Sequence, residues 1–133
     1  MDYFKDAFGG FDPHLDADAA LKFSLDGIFA DDRLEDLVAL VSADSEIDGL
    51  EGEPGWIIEK RGGAQTQGDE TWPSNAYFRS FVDPDSYRLS HPEFFCDRAT
   101  FISYIIAIAD VFSSRNPNFT SRVTEIKHLL SEA

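Results

Sequence analysis

The stretch Ala76–Val82 is followed by Asp83-Pro84-Asp85-Ser86 and by Tyr87–Ser90, and these three segments decide the fold class. Ala76–Val82 is rich in Tyr and Phe, which are enriched in β-strands. Asp-Pro-Asp-Ser predicts a turn, because proline presets the backbone torsion and Asp and Ser bond to the nearby main chain. The sequence therefore predicts a strand, a turn and a returning strand that Glu93-Phe94-Phe95 extends beyond His91-Pro92.

A third strand is predicted upstream of this pair. Residues 56–60 begin with Trp-Ile-Ile-Glu, a composition typical of a strand. Residues 44–55 are acidic and hold several glycines and a proline, so a loop is expected there. Residues 61–75 predict a second, long loop, and such loops in small domains are often functional. We therefore expect an antiparallel sheet from residues 56–60, 76–82 and 86–95.

Two helices are predicted before the sheet. Apolar residues recur at helical spacing over residues 16–29, although Gly27 weakens this prediction. Asp31 or Asp32 can cap a second helix, which is expected to run to about Ser42.

Two more helices are predicted after the sheet. Asp97 is expected to cap the first, and Asn116-Pro117 is expected to end it. The last helix is expected from about Thr120, with these residues facing inward: Val123, Ile126, Leu129 and Leu130. Helices, strands and helices in this order predict an α+β fold with a central antiparallel sheet, built as one domain from residues 1–133.

Composition and charge narrow the classes of function. The chain has 133 residues, of which 43% are hydrophobic and 14% aromatic, enough for a packed core. Lys and Arg number 11 against 25 Asp and Glu, and the formal net charge is −14. Such a chain is poorly suited to bind nucleic acid or anionic membranes, because both require cations on the protein. It is suited to bind a basic protein.

The excess of negative charge is concentrated in residues 1–53, where the cations are Lys5, Lys22 and Arg33. Charge asymmetry of this kind is compatible with two interpretations. The acidic half can be a solvated face that keeps the chain in solution, or a docking surface for a basic partner.

The expected compartment is the cytoplasm. The first residues, Met1–Asp6, lack the basic and apolar regions of a signal peptide. The longest apolar stretch, residues 101–109, is shorter than the ~20 residues that a membrane helix needs. Cys96 is the sole cysteine, which excludes an internal disulfide and fits a reducing compartment.

Two acidic clusters contain the ligand types of metal sites, but no metal is expected at either. The segment Asp44–Gly49 resembles the start of a calcium loop, but Gly55 occupies the position of the bidentate Glu. The second cluster matches no metal template, and its aspartates are expected to stabilise the positive end of a helix. Its members are Asp12, His14, Asp16 and Asp18.

Catalytic motifs give little support for an enzyme. The chain has no nucleophile elbow, phosphate-binding glycine loop or dinucleotide fingerprint. Cys96 adjoins an apolar segment and is expected to be a buried structural thiol. No catalytic residue and no cofactor is therefore predicted.

One tryptophan precedes the long loop and the other lies within it, and the two differ in expected role. Trp56 lies in a predicted strand and is expected in the core. Trp72 follows Asp69 and Glu70 in the loop, so both core packing and a contact at an interface remain open for it.

The carboxyl-terminal third resembles small bacterial immunity proteins. The resemblance is carried by Tyr87–His91, by Cys96–Ile105 with its Phe-x-x-Tyr helix, by Phe112–Pro117 and by Val123–Leu130. This pattern is similar to the ribonuclease-toxin immunity proteins of contact-dependent growth inhibition, a class of polymorphic toxin systems. The resemblance implies a cytoplasmic binding module that covers the active site of a cognate basic toxin domain.

The acidic half and the following loop are then expected to bind the toxin, because carboxylates can mimic the phosphates of RNA. We expect a monomer when free and a heterodimer with the toxin. One alternative is a small acidic adaptor for a basic host protein. The other is an enzyme, which has less support because the sequence holds no catalytic motif. The predicted toxin-binding residues are Asp44, Glu46, Asp48, Glu51, Glu53, Asp69, Glu70 and Trp72.

Overall fold

A computed structural model describes residues 3–42, 47–62, 66 and 68–132, and it confirms the α+β class. Helices precede and follow a four-stranded antiparallel sheet. The elements are α1 (Phe4–Phe8), α2 (Ala19–Ala30), α3 (Leu34–Val41), β1 (Gly49–Gly52), β2 (Trp56–Lys60), β3 (Phe78–Val82), β4 (Glu93–Cys96), α4 (Arg98–Arg115) and α5 (Thr120–Glu132). Single 3₁₀ turns lie at Asp69–Thr71 and Pro117–Phe119.

The sheet has the strand order β1-β2-β3-β4, and each neighbouring pair is antiparallel. In the register, Leu50 lies opposite Ile58, Ile58 opposite Ser80, and Ser80 opposite Phe94. Such a meander needs only connections between adjacent strands, so the order along the chain is also the order in space.

The prediction of a loop across residues 44–55 is wrong where β1 forms. Gly49 and Gly52 argue against a strand in the sequence, because glycine is depleted in strands. A Cβ atom at Gly52 would lie 2.6 Å from Cζ2 of Trp56, so the glycine makes room for the indole on the neighbouring strand. This requirement comes from the tertiary structure and leaves no mark on local composition.

The prediction of a returning strand over residues 86–90 is also wrong, because β4 begins only at Glu93. The amides of Ser86 and Tyr87 both donate to the Asp83 carbonyl, which prolongs the turn. The amide of Ser90 donates to the carbonyl of Pro13, so this segment is tied to the amino-terminal part of the chain.

One face of the sheet, the inner face, packs against α2 and supplies the core. Trp56, Ile58 and Phe78 are fully buried there, which confirms the core prediction for Trp56. The ring of Phe78 stacks on Phe101 of α4, with centroids 3.9 Å apart. The core therefore runs from the sheet through α2 to α4.

The helix boundaries agree with the predicted helices more closely than the caps do. Asp97 caps α4 as predicted, accepting from the Thr100 amide at 2.8 Å. The predicted cap at Asp31 or Asp32 is wrong, because α3 begins after Arg33 and the Asp32 carboxylate accepts from Arg122.

Two further details concern helix faces. Leu129, predicted to face inward, is 40% exposed, because the buried stripe of α5 runs along Val123, Ile126 and Leu130. Asp18 makes no side-chain capping bond at the start of α2. It pairs with Lys22 across one helical turn at 3.3 Å and accepts from the Tyr104 hydroxyl, so it joins α2 to α4.

Within the described residues, no helix combines the length and the apolar character needed to cross a bilayer.

Candidate functional site

The sheet has a second face that points away from α2. Side chains alternate along a strand, so Ile57 and Glu59 lie opposite in direction to the buried Trp56 and Ile58. Ile57, Phe81 and Phe95 are half-buried and lie outside the main apolar core. We call this surface the outer face, and its residues are Gly49, Glu51, Ile57, Glu59, Arg79, Phe81, Glu93 and Phe95.

Two rows of side chains cross the outer face. The first row has Glu51 at one end, Ile57 and Phe81 in the middle, and Glu93 at the other end. Neighbouring side chains in such a row lie close enough to make direct contact. The row therefore places a small apolar patch between two carboxylates.

The second row contains the one cation of the outer face. Arg79 donates to the Glu59 carboxylate at 2.6 Å and to the Glu93 carboxylate at 2.5 Å. Its guanidinium also lies 4.8 Å from the centroid of the Phe81 ring. One guanidinium between two carboxylates leaves this cluster with a net negative charge. The guanidinium also holds both carboxylates in place.

Trp72, in the described segment that leads into β3, covers one end of the outer face. Trp72 is only 8% exposed, and its ring centroid lies 5.6 Å from that of Phe95. Arg61 stacks over the indole at 5.5 Å and donates to the carbonyls of Ala76 and Pro73 at 2.6 and 2.8 Å. Trp72 thus belongs neither to the main core nor to a free loop tip. It packs against the outer face as part of its wall.

Two clefts open on the outer face. The Trp72 cleft has a volume of about 610 Å³ and lies between Trp72, Arg79 and Phe95. The Phe81 cleft has a volume of about 580 Å³, and Glu51, Glu53 and Asp83 line it together with Ile57 and Phe81. Both clefts combine aromatic side chains with carboxylates.

Of the predicted site residues, the structure brings Glu51, Glu53 and Trp72 to this surface. Glu51 lies on the outer face, and Glu53 in the β1–β2 turn is exposed at the Phe81 cleft. Asp69 and Glu70 form the 3₁₀ turn just before Trp72, and the Asp69 carboxylate accepts from the Gly62 amide at 2.8 Å. Each of the two predicted patches therefore contributes at least one residue to this surface.

Asp48, another of the predicted residues, does not join this surface. Asp48 is half-buried and lies two residues before Leu50, in step with the side chains of the inner face. Its carbonyl accepts from the Lys60 amide at 2.9 Å. Asp44 and Glu46, with most of the calcium-loop segment, lie outside the described residues.

The residues at the centre of the site were not among those predicted from the sequence: Glu59, Arg79, Phe81, Glu93 and Phe95. The sequence does hold a signal for the direction of Ile57 and Glu59. Once Trp56 is assigned to the core, the period of two along a strand sends Ile57 and Glu59 to the opposite face.

Neither the thiol nor the acidic clusters of the described residues add a second chemical site. Cys96 is buried, as predicted, and burial with the nearby Asp97 charge raises the pKa of its thiol to about 12. In the described ranges, no three His, Cys, Asp or Glu side chains are grouped so as to hold a metal ion. Asp16, from the second cluster, pairs with Lys22 at 3.0 Å.

Another cavity, of about 480 Å³, lies between α1, α2 and the β1–β2 turn. Aromatic side chains such as Phe11, Phe23 and Tyr87 line it, with Lys5 beside carboxylates. Its mixed charge selects no class of ligand. On the outer face, by contrast, the carboxylates outnumber the single guanidinium.

The outer face can thus make apolar contacts and accept hydrogen bonds from cations over one continuous surface. Aromatic residues dominate the energetics of protein interfaces, and carboxylates beside them select basic partners. Comparisons of the chain with protein-family models, with curated proteins and with solved structures found no match.

Proposed function

We propose that the chain is an immunity protein that binds a cognate basic toxin domain and neutralises it with the outer face. The observation that carries the proposal is the row Glu51–Ile57–Phe81–Glu93, an apolar patch bounded by carboxylates at both ends. The resemblance of the carboxyl-terminal third to ribonuclease-toxin immunity proteins supports the choice of partner.

The charge of the chain supports a ribonuclease as the toxin. An enzyme that holds RNA must present cations to the phosphates. A chain with a formal net charge of −14 is attracted to such a surface at long range, which speeds the encounter. Carboxylates on the outer face would then occupy the positions that phosphates take in the substrate.

Preorganisation supports a binding role for the central carboxylates. Glu59 and Glu93 are held by Arg79, so they lose less side-chain freedom on binding than free glutamates would. Glu51 and Glu53 are exposed, and the first can meet a cation of the partner directly. We therefore expect Glu51 and Glu53 to select the basic partner. The Arg79 cluster and the aromatic rings are expected to give the binding surface its fixed shape.

Growth protection tests the proposal. The chain is co-expressed in a bacterial host with a panel of basic ribonuclease toxin domains. Rescue of growth and a one-to-one complex support the proposed function. Binding to a basic protein without rescue favours the adaptor alternative, and absence of both contradicts the proposal.

The first variant to test is Glu51→Lys with Glu53→Lys. We expect the toxin affinity to fall about 100-fold or more, because each reversal places like charges together across the interface. The matched control is Asp31→Lys with Glu125→Lys, which makes the same change of net charge at two exposed positions, the residue after α2 and a residue of α5. Equal losses from both pairs would mean that only net charge matters, which contradicts the assignment of the outer face.

A further inference from the structure

The two edges of the sheet are not equivalent. At the β1 edge, Arg33 donates from Nη1 to the carbonyl oxygen of Glu51 at 2.6 Å, and α3 packs against the strand. The side chain thereby occupies an outward-facing acceptor of the main chain. This edge is closed to another strand at its centre.

The β4 edge can be assigned from the hydrogen-bond pattern. The amide of Val82 donates to the Pro92 carbonyl at 2.9 Å, so these two residues form a bonded pair. Bonded and non-bonded pairs alternate in an antiparallel ladder. It follows that Phe94 bonds to β3, whereas Glu93 and Phe95 direct their amides and carbonyls away from it.

The outward-facing groups of β4 have no partner in the described part of the chain. No hydrogen bond from outside the β3–β4 pair reaches the main chain of Glu93 or Phe95 there. Glu93 is exposed, and no side chain of the described residues bonds to the outward groups of β4 as Arg33 does to Glu51 on β1. Unpaired edges of this kind are templates for a further strand.

We propose that the partner adds an extended segment to β4 as a fifth antiparallel strand. The inference rests on the proposed function for the basic charge of the partner, and it specifies how that partner docks. Added strands gain affinity from main-chain bonds and specificity from alternate side chains. The bonds would join the amides and carbonyls of Glu93 and Phe95.

The side chains at the edge define the sequence of the segment. Glu93 and Phe95 project onto the outer face, and Trp72 packs beside Phe95. The residue opposite Glu93 is therefore expected to be Lys or Arg, and the residue opposite Phe95 apolar or aromatic. In an antiparallel strand this gives, from the amino end, an apolar residue, any residue and a basic residue.

The probe is the peptide acetyl-Thr-Phe-Val-Lys-Thr-amide, added to the full chain while amide exchange is followed by NMR. Exchange at Glu93 and Phe95 is expected to slow about tenfold or more at saturation. Methylation of the peptide nitrogen at its Phe, which faces β4, should abolish binding. Methylation at its Val, which faces away, should leave binding intact. Failure of the peptide to bind, or binding without slower exchange at both residues, overturns strand addition.

A pair of variants separates this inference from the proposed function. Glu93→Pro removes the outward amide but no bond of the ladder, since proline is tolerated where the amide faces solvent. Glu93→Ala loses the same carboxylate and keeps the amide. With a toxin that binds the unaltered chain, Glu93→Pro should bind at least about tenfold more weakly than Glu93→Ala, with urea unfolding as the check on folding. Equal affinities overturn strand addition and leave the proposed function intact, whereas failure of every toxin to bind counts against the proposed function alone.

Discussion

The two faces of one sheet use the same strands for different purposes. On the inner face, Trp56, Ile58 and Phe78 are fully buried against α2 and α4. On the outer face, Glu59 and Arg79 occupy the intervening positions, and the apolar side chains there are half-buried. Burial of apolar area drives folding, whereas surface ion pairs contribute little. The inner face therefore explains the stability of the fold, and the outer face has a composition that stability does not require.

Truncation of one phenylalanine on each face should give the largest difference. Phe78→Ala removes a fully buried ring that stacks on Phe101, and we expect it to cost about 3–5 kcal/mol of unfolding free energy. Phe81→Ala, three residues along the same strand, should cost about 1 kcal/mol because its ring is half-buried. Urea unfolding measures both. Similar costs would mean that the outer face is a second core.

Toxin affinity should rank the two variants in the opposite order, with Phe81→Ala the more damaging. Phe81→Ala should weaken toxin binding about tenfold or more, because the ring lies between the carboxylates of the central row. A stable Phe81→Ala variant with unchanged affinity would remove the apolar patch from the proposed interface.

Local signals predicted the elements whose causes are local. The Asp97 cap of α4 and its end at Asn116 depend on a few neighbouring residues, and both were predicted. The strand β1 depends on Trp56, which lies on another strand and needs the space that Gly52 leaves. The missing strand at residues 86–90 depends on Pro13, which is distant along the chain.

The site divides in the same way. Glu51, Glu53 and Trp72 stand in acidic or aromatic segments, so composition alone pointed to them. Glu93 and Phe95 could not be placed, because their direction depends on the register of β4 with β3. A shift of one residue would have exchanged the two faces.

Gly27 offers an intermediate effect on the inner face. Alanine usually stabilises a helix by about 1 kcal/mol over glycine. Here a Cβ atom would lie 2.7 Å from Nε1 of Trp56, a buried atom with no hydrogen-bond partner in the described residues. We therefore expect Gly27→Ala to destabilise the chain by about 1–3 kcal/mol in urea unfolding.

A double-mutant cycle checks this cause. In a Trp56→Phe background the atom that clashes is absent, so Gly27→Ala should be neutral or stabilising there. An equal cost in both backgrounds would show that the indole is not responsible.

The smallest effect separates a carboxylate that holds the fold from those offered to a partner. Asp97 accepts a hydrogen bond from the Thr100 amide, reinforced by the Thr100 hydroxyl, and this lowers the pKa of its carboxyl below the usual value. A carboxylate with a lowered pKa in the folded state stabilises the fold above the pKa of the unfolded chain, and this contribution is lost as pH falls through the folded-state pKa. Asparagine caps helices as well as aspartate but does not titrate in this range. Asp97→Asn should therefore leave stability nearly unchanged at pH 7 and reduce its loss as the pH falls from about 5 towards 2, measured by urea unfolding across that range. If the two chains lose stability identically as the pH falls, the charge of Asp97 contributes nothing to the fold. The contrast between carboxylates that stabilise the fold and carboxylates offered to a partner would then not extend to helix ends.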